Sequence, residues 1–595
     1  MHWHDDELIS EEETKPSKKN WRIISKLSPY FKKYKIKIII ASVLLLFSTL
    51  LTLVGPLLIK RVIDIEIPQK NMQGLLLIAF IYLIVQLFII LVRYFQEIEI
   101  QKVGERAIAD LKSDLFEQLL YIPVAHFDKN PVGRLISRVD SDTETLKFLF
   151  SQTAVVLIQN TALIIGMSIV MMIVNLRLYL LIVFMLPIFL LIFWWFERSV
   201  RPVYLAVRKK VAEINSYIIE TLRGLPIVQI FRQEENFIKK INTLGKEKYE
   251  VEVKALSYWY RIWCFVDLGE VIGMILVLGV GGIWALHGAI TIGTIFLFIS
   301  YITRLFGPLR RLSDQVNVIE RAFASAERVF QVLAKKREGK EQEKELVKSF
   351  REHITFKDLS FYYENENWVL ENLNFKIKKG ERIALVGETG GGKTSIIALL
   401  LKFYEPQKGT ILIDNTCISR INRNSLRAII GFVPQDVILF PGSIMENLRL
   451  FDEQISPQKV IEAATRACIH DRICRLPKSY DTNIIEQGVN LSFGERQLLS
   501  YARALVFDPD ILILDEATSS VDPESERLIQ TGMKELLKDR TAIIIAHRLT
   551  TTRLADRVLV IHKGQLIEQG THSELLSTKG YYHRLYKLQY LSGAR

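Results

Sequence analysis

Apolar residues are gathered into six runs in the first half of the chain: Ile38–Ile59, Leu75–Tyr94, Ala154–Val174, Leu178–Phe196, Val266–Leu286 and Ile290–Phe306. A bilayer core of roughly 30 Å needs about 20 such residues per helix, so each run is long enough, or nearly so, to cross a membrane. The links between them alternate in length. Short links join the first to second, third to fourth and fifth to sixth runs, while long polar segments separate the second from third and fourth from fifth. Within those segments, Glu97–Tyr121 and Arg201–Ile241 carry apolar residues at three- and four-residue spacing and only Pro202 and Pro226 as breakers. That period predicts helices continuing beyond the membrane. In Phe127–Leu135, Asn130 is placed to cap and Pro131 to occupy the first turn of a short new helix, a point where a membrane region could touch a soluble one. A plain capped turn would use the same residues.

After about Lys335 the pattern changes to that of a soluble α/β domain. The chain therefore reads as a polar tail (1–20), a membrane region (21–334), a charged linker (335–349) and a soluble domain (350–595). A count of 595 residues would suggest about four domains of roughly 150 residues by length alone. A mean hydropathy of +0.19 with 24% charged residues instead means that apolar residues are concentrated rather than mixed.

The net charge of +12 raises nucleic-acid binding as one explanation. The basic residues sit beside apolar runs, as in Lys15, Lys18, Lys19, Arg22, Lys26, Lys32, Lys33, Lys35 and Lys37 before the first, which is the pattern of a cytoplasmic flank. No aromatic-interleaved basic strand accompanies them, so no nucleic-acid partner is expected. With this flank inside, the long polar segments and both termini fall on the cytoplasmic side. Residues 1–20 are polar and acidic in their middle, which does not fit a cleavable signal peptide. Cys264, Cys417, Cys468 and Cys474 have no C-x-x-C spacing, which argues against a metal site or a disulfide framework.

In the fifth run Gly269 and Gly273 form a G-x-x-x-G, the signature of close helix packing. Asp267 and Glu270 in the same run are costly at membrane depth, and read either as interfacial residues near Arg261 or as contacts for a cationic cargo.

The soluble domain carries the chemistry. The strand-like Arg382–Val386 runs into Gly387, Glu388, Thr389, Gly390, Gly391, Gly392, Lys393 and Thr394, followed by the helical Ser395–Phe403. Strand, glycine loop and helix are the context that the G-x-x-x-x-G-K-[ST] pattern requires. Backbone N–H groups of such a loop face phosphates, Lys393 can reach the β- and γ-phosphates of ATP, and the Thr394 hydroxyl can bind Mg²⁺. Farther on, Ile511–Leu514 ends in Asp515, placed to hold Mg²⁺, and Glu516, placed to polarise water. Ser492 and Gly494 stand before the helical Leu498–Leu505, at an anion-favouring helix start. The strand Ala542–Ala546 ends in His547, where an imidazole could contact a γ-phosphate.

The order of these motifs resembles the ATP-binding cassette (ABC) family. From about Trp21 to Tyr590 the chain resembles its bacterial multidrug and lipid exporter half-transporters. That resemblance implies a helical membrane bundle of six spans with long cytoplasmic extensions, domain-swapped in a dimer and fused to an α/β P-loop cassette. It implies that Tyr363 stacks on adenine and that Gln435 binds Mg²⁺ and senses the membrane domain. Leu491–Gln497 resembles the family signature, with Ser492, Gly494 and Glu495 at the nucleotide, and the same likeness extends the nucleotide contacts to Ser395. Ser519–Asp522 resembles the D-loop, His547 the switch histidine and Glu516 the catalytic acid. Phe127–Asp142, with Gly133, Arg138 and Asp142, resembles the first coupling region, and Glu220 and Gly224 suggest the second.

The family implies that ATP binds between Lys393 of one chain and the partner's Ser492, so that a second half-transporter chain completes each site. It further implies that closure of the two cassettes turns the cavity outward and that hydrolysis resets it. The signature departs from the commonest form at Phe493 and Glu495, leaving Ser492 and Gly494 in place. Homodimer and heterodimer both stay open, since Gly55–Asp64 and the cassette motifs also resemble chains that pair with a degenerate sister.

Six apolar runs exclude a soluble cassette ATPase acting on DNA or ribosomes. The absence of cysteine before Cys264 excludes an N-terminal cysteine protease domain. Importers normally keep their membrane subunits separate. An ATP-gated channel or a regulatory half would share the fold. Walls of Leu, Ile, Phe and Tyr suit amphiphilic cargo, drugs and lipids alike, moved across a bacterial cytoplasmic membrane.

Overall fold

The computed structural model describes residues 20–184, 186–338, 344–363, 367–485, 488–516, 523–546 and 549–593. His547 and the expected D-loop, Ser519–Asp522, lie outside the described residues. The chain divides into two compact units, one formed by Met1–Tyr121 and Asn130–Lys335, the other by Ile122–Lys129 and Lys336–Arg595.

The first unit is helical. Its elements are α1 (Asn20–Lys32), α2 (Lys35–Arg61), α3 (Met72–Leu120), α5 (Val132–Val139), α6 (Ser141–Phe148), α7 (Ala154–Val174), α8 (Leu176–Val183), α9 (Leu186–Arg223), α10 (Leu225–Ile230), α11 (Glu234–Leu286) and α12 (Ile292–Leu333). The short α4 (Val124–Lys129) falls in the second unit. At 1.5 Å per residue the 49-residue α3 is about 70 Å long, more than twice the bilayer core.

Among the described residues four helical stretches are long and apolar enough to span: Lys35–Glu66, Met72–Leu120, Val132–Val174 and Glu234–Leu286. Ile292–Pro308 is a shorter apolar one. Their apolar side chains face outward in number, Phe80, Ile90, Ile173 and Leu286 among them, as a lipid-facing surface requires. The unit's core centres on α12, where Phe298, Tyr301 and Ile302 meet Met167, Met171, Leu178 and Val277. The buried Tyr301 hydroxyl donates to the Leu53 carbonyl at 2.7 Å. At one end of this core Asp64, in the turn of helix that follows α2, accepts from Lys60 Nζ (2.6 Å), Thr291 Oγ1 (2.6 Å) and the Gly293 N–H (2.7 Å), tying the end of that helix to the start of α12.

Two local expectations are refined and one is corrected. The run Leu178–Phe196 is broken between α8 and α9 because Pro187, second in α9, has no N–H to give and clashes with the preceding turn. Arg201–Ile241 is likewise three helices. Gly224 is the N-cap of α10, Pro226 lies in its first turn, and Arg232 adopts a left-handed φ of 52° before α11. The cap of α5 is Pro131, in an extended conformation, rather than Asn130.

The second unit is built on two main sheets. β1 (His353–Phe361), β2 (Leu370–Lys378), β4 (Lys408–Ile413) and β5 (Thr416–Cys417) form an antiparallel sheet in the order β2-β1-β4-β5. The larger sheet runs β12-β11-β3-β10-β9-β6, comprising β3 (Arg382–Val386), β6 (Ile430–Val433), β9 (Ile511–Asp515), β10 (Thr541–Ile545), β11 (Arg557–His562) and β12 (Gln565–Gly570). All its pairings are parallel except β11 with β12. β7 (Gly442–Ser443) and β8 (Asn483–Ile484) pair separately.

The helices are α13 (Lys393–Leu400), α14 (Arg423–Ala428), α15 (Ile444–Arg449), α16 (Pro457–Arg466), α17 (His470–Cys474), α18 (Phe493–Phe507), α19 (Pro523–Leu537), α20 (Leu549–Thr552), α21 (His572–Ser577) and α22 (Tyr581–Gly593). β3, β9 and β10 are runs of buried Ile, Leu, Val and Ala, the composition of parallel strands covered on both faces. One core joins the two sheets around Phe356, Ile383 and Ile397, and another packs α15 to α19 around Leu498 and Tyr501.

Candidate functional site

In a parallel sheet covered on both faces, loops leaving the carboxyl ends of the strands converge on one edge, where ligands bind. The register here is level. Ile545 of β10 stands opposite both Leu385 of β3 and Asp515 of β9, so Gly387 and Glu516 emerge at the same edge with one strand between them. Val433 of β6 is opposite Leu514, which brings the exposed Gln435 to that edge as well.

The loop between β3 and α13 needs its glycines for two different reasons. A Cβ on Gly387 would lie 2.1 Å from the Ile561 carbonyl oxygen of β11. Gly392, the N-cap of α13, has a φ of 99°, a conformation that side chains rarely adopt. Lys393 is buried, and its Nζ donates to the carbonyls of Gly387 (2.9 Å) and Glu388 (2.8 Å), folding the side chain along its own loop. Burial pushes the ammonium below the usual lysine range, with Asp515 acting in the opposite direction. The start of α13 directs unpaired N–H groups at the same space, so the loop presents a positive surface to an anion. Thr389, Gly390 and Thr394 are exposed there, Gly391 is buried, and its N–H donates to the Glu388 carbonyl at 3.0 Å.

Tyr363 stands beside this loop. Its hydroxyl donates to the buried Ser395 at 2.9 Å, and its ring meets Phe361 and Tyr404 edge-on at 4.7 and 4.9 Å. The ring is 41% exposed, which leaves surface for an aromatic ligand. Tyr404 donates in turn to the Asp128 carboxylate of α4.

Asp515 is buried at the end of β9, while the next residue, Glu516, is half-buried and accepts a 2.5 Å bond from Thr551 Oγ1 of α20. Thr551 is a contact that sequence reasoning missed. It follows the expected switch histidine by four residues, but nothing in its spacing marks it. Tyr404 was missed for the same reason.

Ser492 belongs to a different part of the unit, the N-cap of α18. Its Oγ accepts from the Glu495 N–H (3.2 Å), and the Glu495 carboxylate accepts from the Ser492 N–H (2.8 Å), a complete capping box. This gives a physical role to the acidic residue at 495. Gly494 is buried in the first turn, where a Cβ would press on Ser525 at 3.0 Å. Of the membrane carboxylates, Asp267 is exposed and Glu270 half-buried on α11.

Thr394, Asp515 and Gln435 offer the hard oxygen donors that Mg²⁺ takes. Among the described residues no group of three His, Cys, Asp or Glu side chains could hold a metal by itself. A Mg²⁺ site completed by phosphate oxygens and water needs only one or two protein carboxylates, so this donor set fits the ion.

Residues 38–309 match the family described as ABC transporter transmembrane region, and residues 370–519 match the family described as ABC transporter. The chain is 34% identical over 567 residues to the uncharacterized ABC transporter ATP-binding protein YfiC of Bacillus subtilis, covering 94% of this chain and 93% of the relative. It is 34% identical over 553 residues to the ATP-dependent lipid A-core flippase of Syntrophus aciditrophicus, covering 93% and 92%. It is 32% identical over 576 residues to the multidrug resistance-like ATP-binding protein MdlB of Buchnera aphidicola, covering 96% and 98%.

The chain belongs to the ABC transporters. It is a half-transporter, with a helical transmembrane region fused to a nucleotide-binding cassette on one polypeptide. As an ABC transporter it is a membrane protein that binds ATP and couples an ATPase to transport.

Proposed function

We propose that this ABC half-transporter exports or flips amphiphilic molecules, drugs or lipids, across a bacterial cytoplasmic membrane, as one half of a dimer. The observation that carries the reading is the common strand edge, at which the phosphate loop of Lys393, the Asp515 and Glu516 pair and Gln435 emerge beside one another. Lys393 and the N–H groups of α13 grip the triphosphate of the substrate ATP. Tyr363 receives the adenine. Thr394, Asp515 and Gln435 hold Mg²⁺, which when bound neutralises phosphate charge. Glu516 accepts a proton from the attacking water, and His547 contacts the γ-phosphate.

The partner's Ser492, at its own capped helix start, completes the site. This chain carries every acid and base the reaction asks for, which supports a catalytic half in either a homodimer or a heterodimer. Relatives named as a lipid A-core flippase and as a multidrug resistance-like protein support the cargo class. Outward-facing apolar helices support placement of this unit in a bilayer. The N-terminus and cassette lie in the cytosol, in keeping with the basic flank before α2.

Glu516→Gln in the purified chain, reconstituted alone and with a sister half-transporter, tests the reading. It keeps ATP binding and loses turnover. Hydrolysis at the unmodified rate in that variant would remove Glu516 as the base.

A further inference from the structure

The C-terminal helix reaches the phosphate loop. The first turn of α22 is held by Glu568 of β12, whose carboxylate accepts the N–H groups of Tyr581 (2.6 Å) and Tyr582 (2.9 Å). With that turn fixed, the Tyr581 ring stands against the His562 ring, centroids 4.6 Å apart. Its hydroxyl donates to Glu388 Oε1 at 2.5 Å and lies 2.7 Å from His562 Nδ1.

A phenol has one proton. With that proton given to the carboxylate, the 2.7 Å contact is a hydrogen bond only if His562 Nδ1 carries hydrogen and donates to the phenol oxygen. The three side chains thus form a directed chain from imidazole to phenol to carboxylate. Burial and the carboxylate beside it push the Tyr581 phenol up to about 12, so it stays a donor at neutral pH.

Glu388 is the second residue of the phosphate loop, and its own carbonyl accepts from Lys393 Nζ. An acidic side chain on this loop is a like charge next to the place of a triphosphate, and an untethered one repels it. We propose that Tyr581 is a positioning residue for the phosphate loop, holding the Glu388 carboxylate against the C-terminal helix so that the loop can accept ATP. The inference rests on the phosphate-loop reading of Gly387–Thr394. Tyr582 gives a natural comparison. It is the next residue of the same helix, fully buried, and its hydroxyl donates to Thr552 Oγ1 at 3.0 Å without touching Glu388.

The test uses the full chain in lipid nanodiscs, with ATP affinity read by a fluorescent ATP analogue and steady-state ATPase read as KM and kcat. Tyr581→Phe keeps the ring and deletes the hydroxyl. It should raise Kd and KM roughly three- to tenfold with little change in kcat, the scale of one ordinary lost hydrogen bond, since the Glu388 carboxylate is open to solvent. In a Glu388→Gln background, where there is no charge to restrain, the same substitution should cost much less, so the two effects do not add.

Unchanged KM in Tyr581→Phe, or strictly additive effects, overturns the proposal. So does an equal rise of KM in Tyr582→Phe, which would make the effect one of helix packing. Lys393→Ala separates the two levels. If it loses nucleotide while Tyr581→Phe binds normally, the tyrosine's role alone fails. If Lys393→Ala binds normally, the loop reading beneath it fails.

Discussion

Thr551 holds Glu516. Its hydroxyl, 4% exposed on α20, donates to a carboxylate oxygen at 2.5 Å, from an element that begins just after the expected switch histidine. The proposed base, which must meet water at a defined angle, gains from a fixed side chain, because misplacement by an ångström is costly in rate. Thr551→Val, which keeps the shape and deletes the donor, should lower kcat for ATP by about tenfold or more with KM for ATP little changed. Thr551→Ser should restore most of the rate. Steady-state ATPase with both variants checks this, and equal loss in the two would point to the methyl group instead.

What could be read from the sequence divides along a physical line. The apolar helix over Ala154–Val174 was legible because such a helix needs an uninterrupted apolar run, and the strand, glycine loop and helix around Lys393 because glycines and Lys393 follow a buried strand. The break before Pro187 was missed because the apolar run continues through it, although the proline itself was visible. Thr551, Tyr404 and Tyr581 were not legible, since each acts through one hydroxyl reaching a residue distant in sequence, and no local period or spacing records such a meeting. Glu495 lay between these cases. The spacing Ser492 to Glu495 is a capping-box signal that was available but was read only as a variant of the signature.

Tyr404 joins Asp128 of α4 to the edge of Tyr363. The segment Ile122–Lys129 is drawn from the membrane region's stretch of sequence yet packs as part of the cassette unit. A hydroxyl that ties this segment to the proposed adenine platform is suited to passing a change at one to the other. Tyr404→Phe keeps the ring contacts and removes the tie. Basal ATP hydrolysis should continue while its stimulation by an amphiphilic cargo falls. ATPase in proteoliposomes with and without cargo measures both, and full stimulation in the variant would deny the tie a role in coupling.

Asp556 anchors the start of β3. It accepts the Arg382 backbone N–H (2.9 Å) and both arms of that residue's guanidinium, Nε at 3.1 Å and the terminal nitrogen at 2.7 Å. The bonds from Arg382 hold its carboxyl below the usual range against the opposing effect of burial. A folded-state value below the unfolded one means the contribution is present above the unfolded value and is lost as pH falls through the folded one. Both side chains are more than a third exposed, so solvent screens the pair and its worth is under about 1 kcal/mol. Asp556→Asn should therefore be slightly less thermostable than the parent at pH 7, and the gap should close in acid below about pH 4. Thermal unfolding of the full chain at the two pH values checks the sign.

Asp142 and Arg328 form a two-point ion pair in the helical unit, with Nε to Oδ2 at 3.0 Å and a terminal nitrogen to Oδ1 at 2.6 Å. Asp142, in the stretch that resembles the first coupling region, lies in the first turn of α6, 9% exposed as a side chain and bonded to the far part of α12, while Arg328 is also steadied by Ser325 Oγ at 3.0 Å. Removing one member of such a pair leaves a desolvated charge behind, which costs more than the pair itself contributes. Since Arg328 keeps 42% of its side-chain surface, water recovers part of the loss. Asp142→Ala should then destabilise the unit by roughly 1–3 kcal/mol, less than a fully buried pair would. Asp142→Ala with Arg328→Ala should be far less harmful than the sum of the two, because the second change removes the charge that the first had stranded. Apparent melting temperatures of the single and double variants in detergent give the comparison, and simple addition would mean that the two residues stabilise the helices independently.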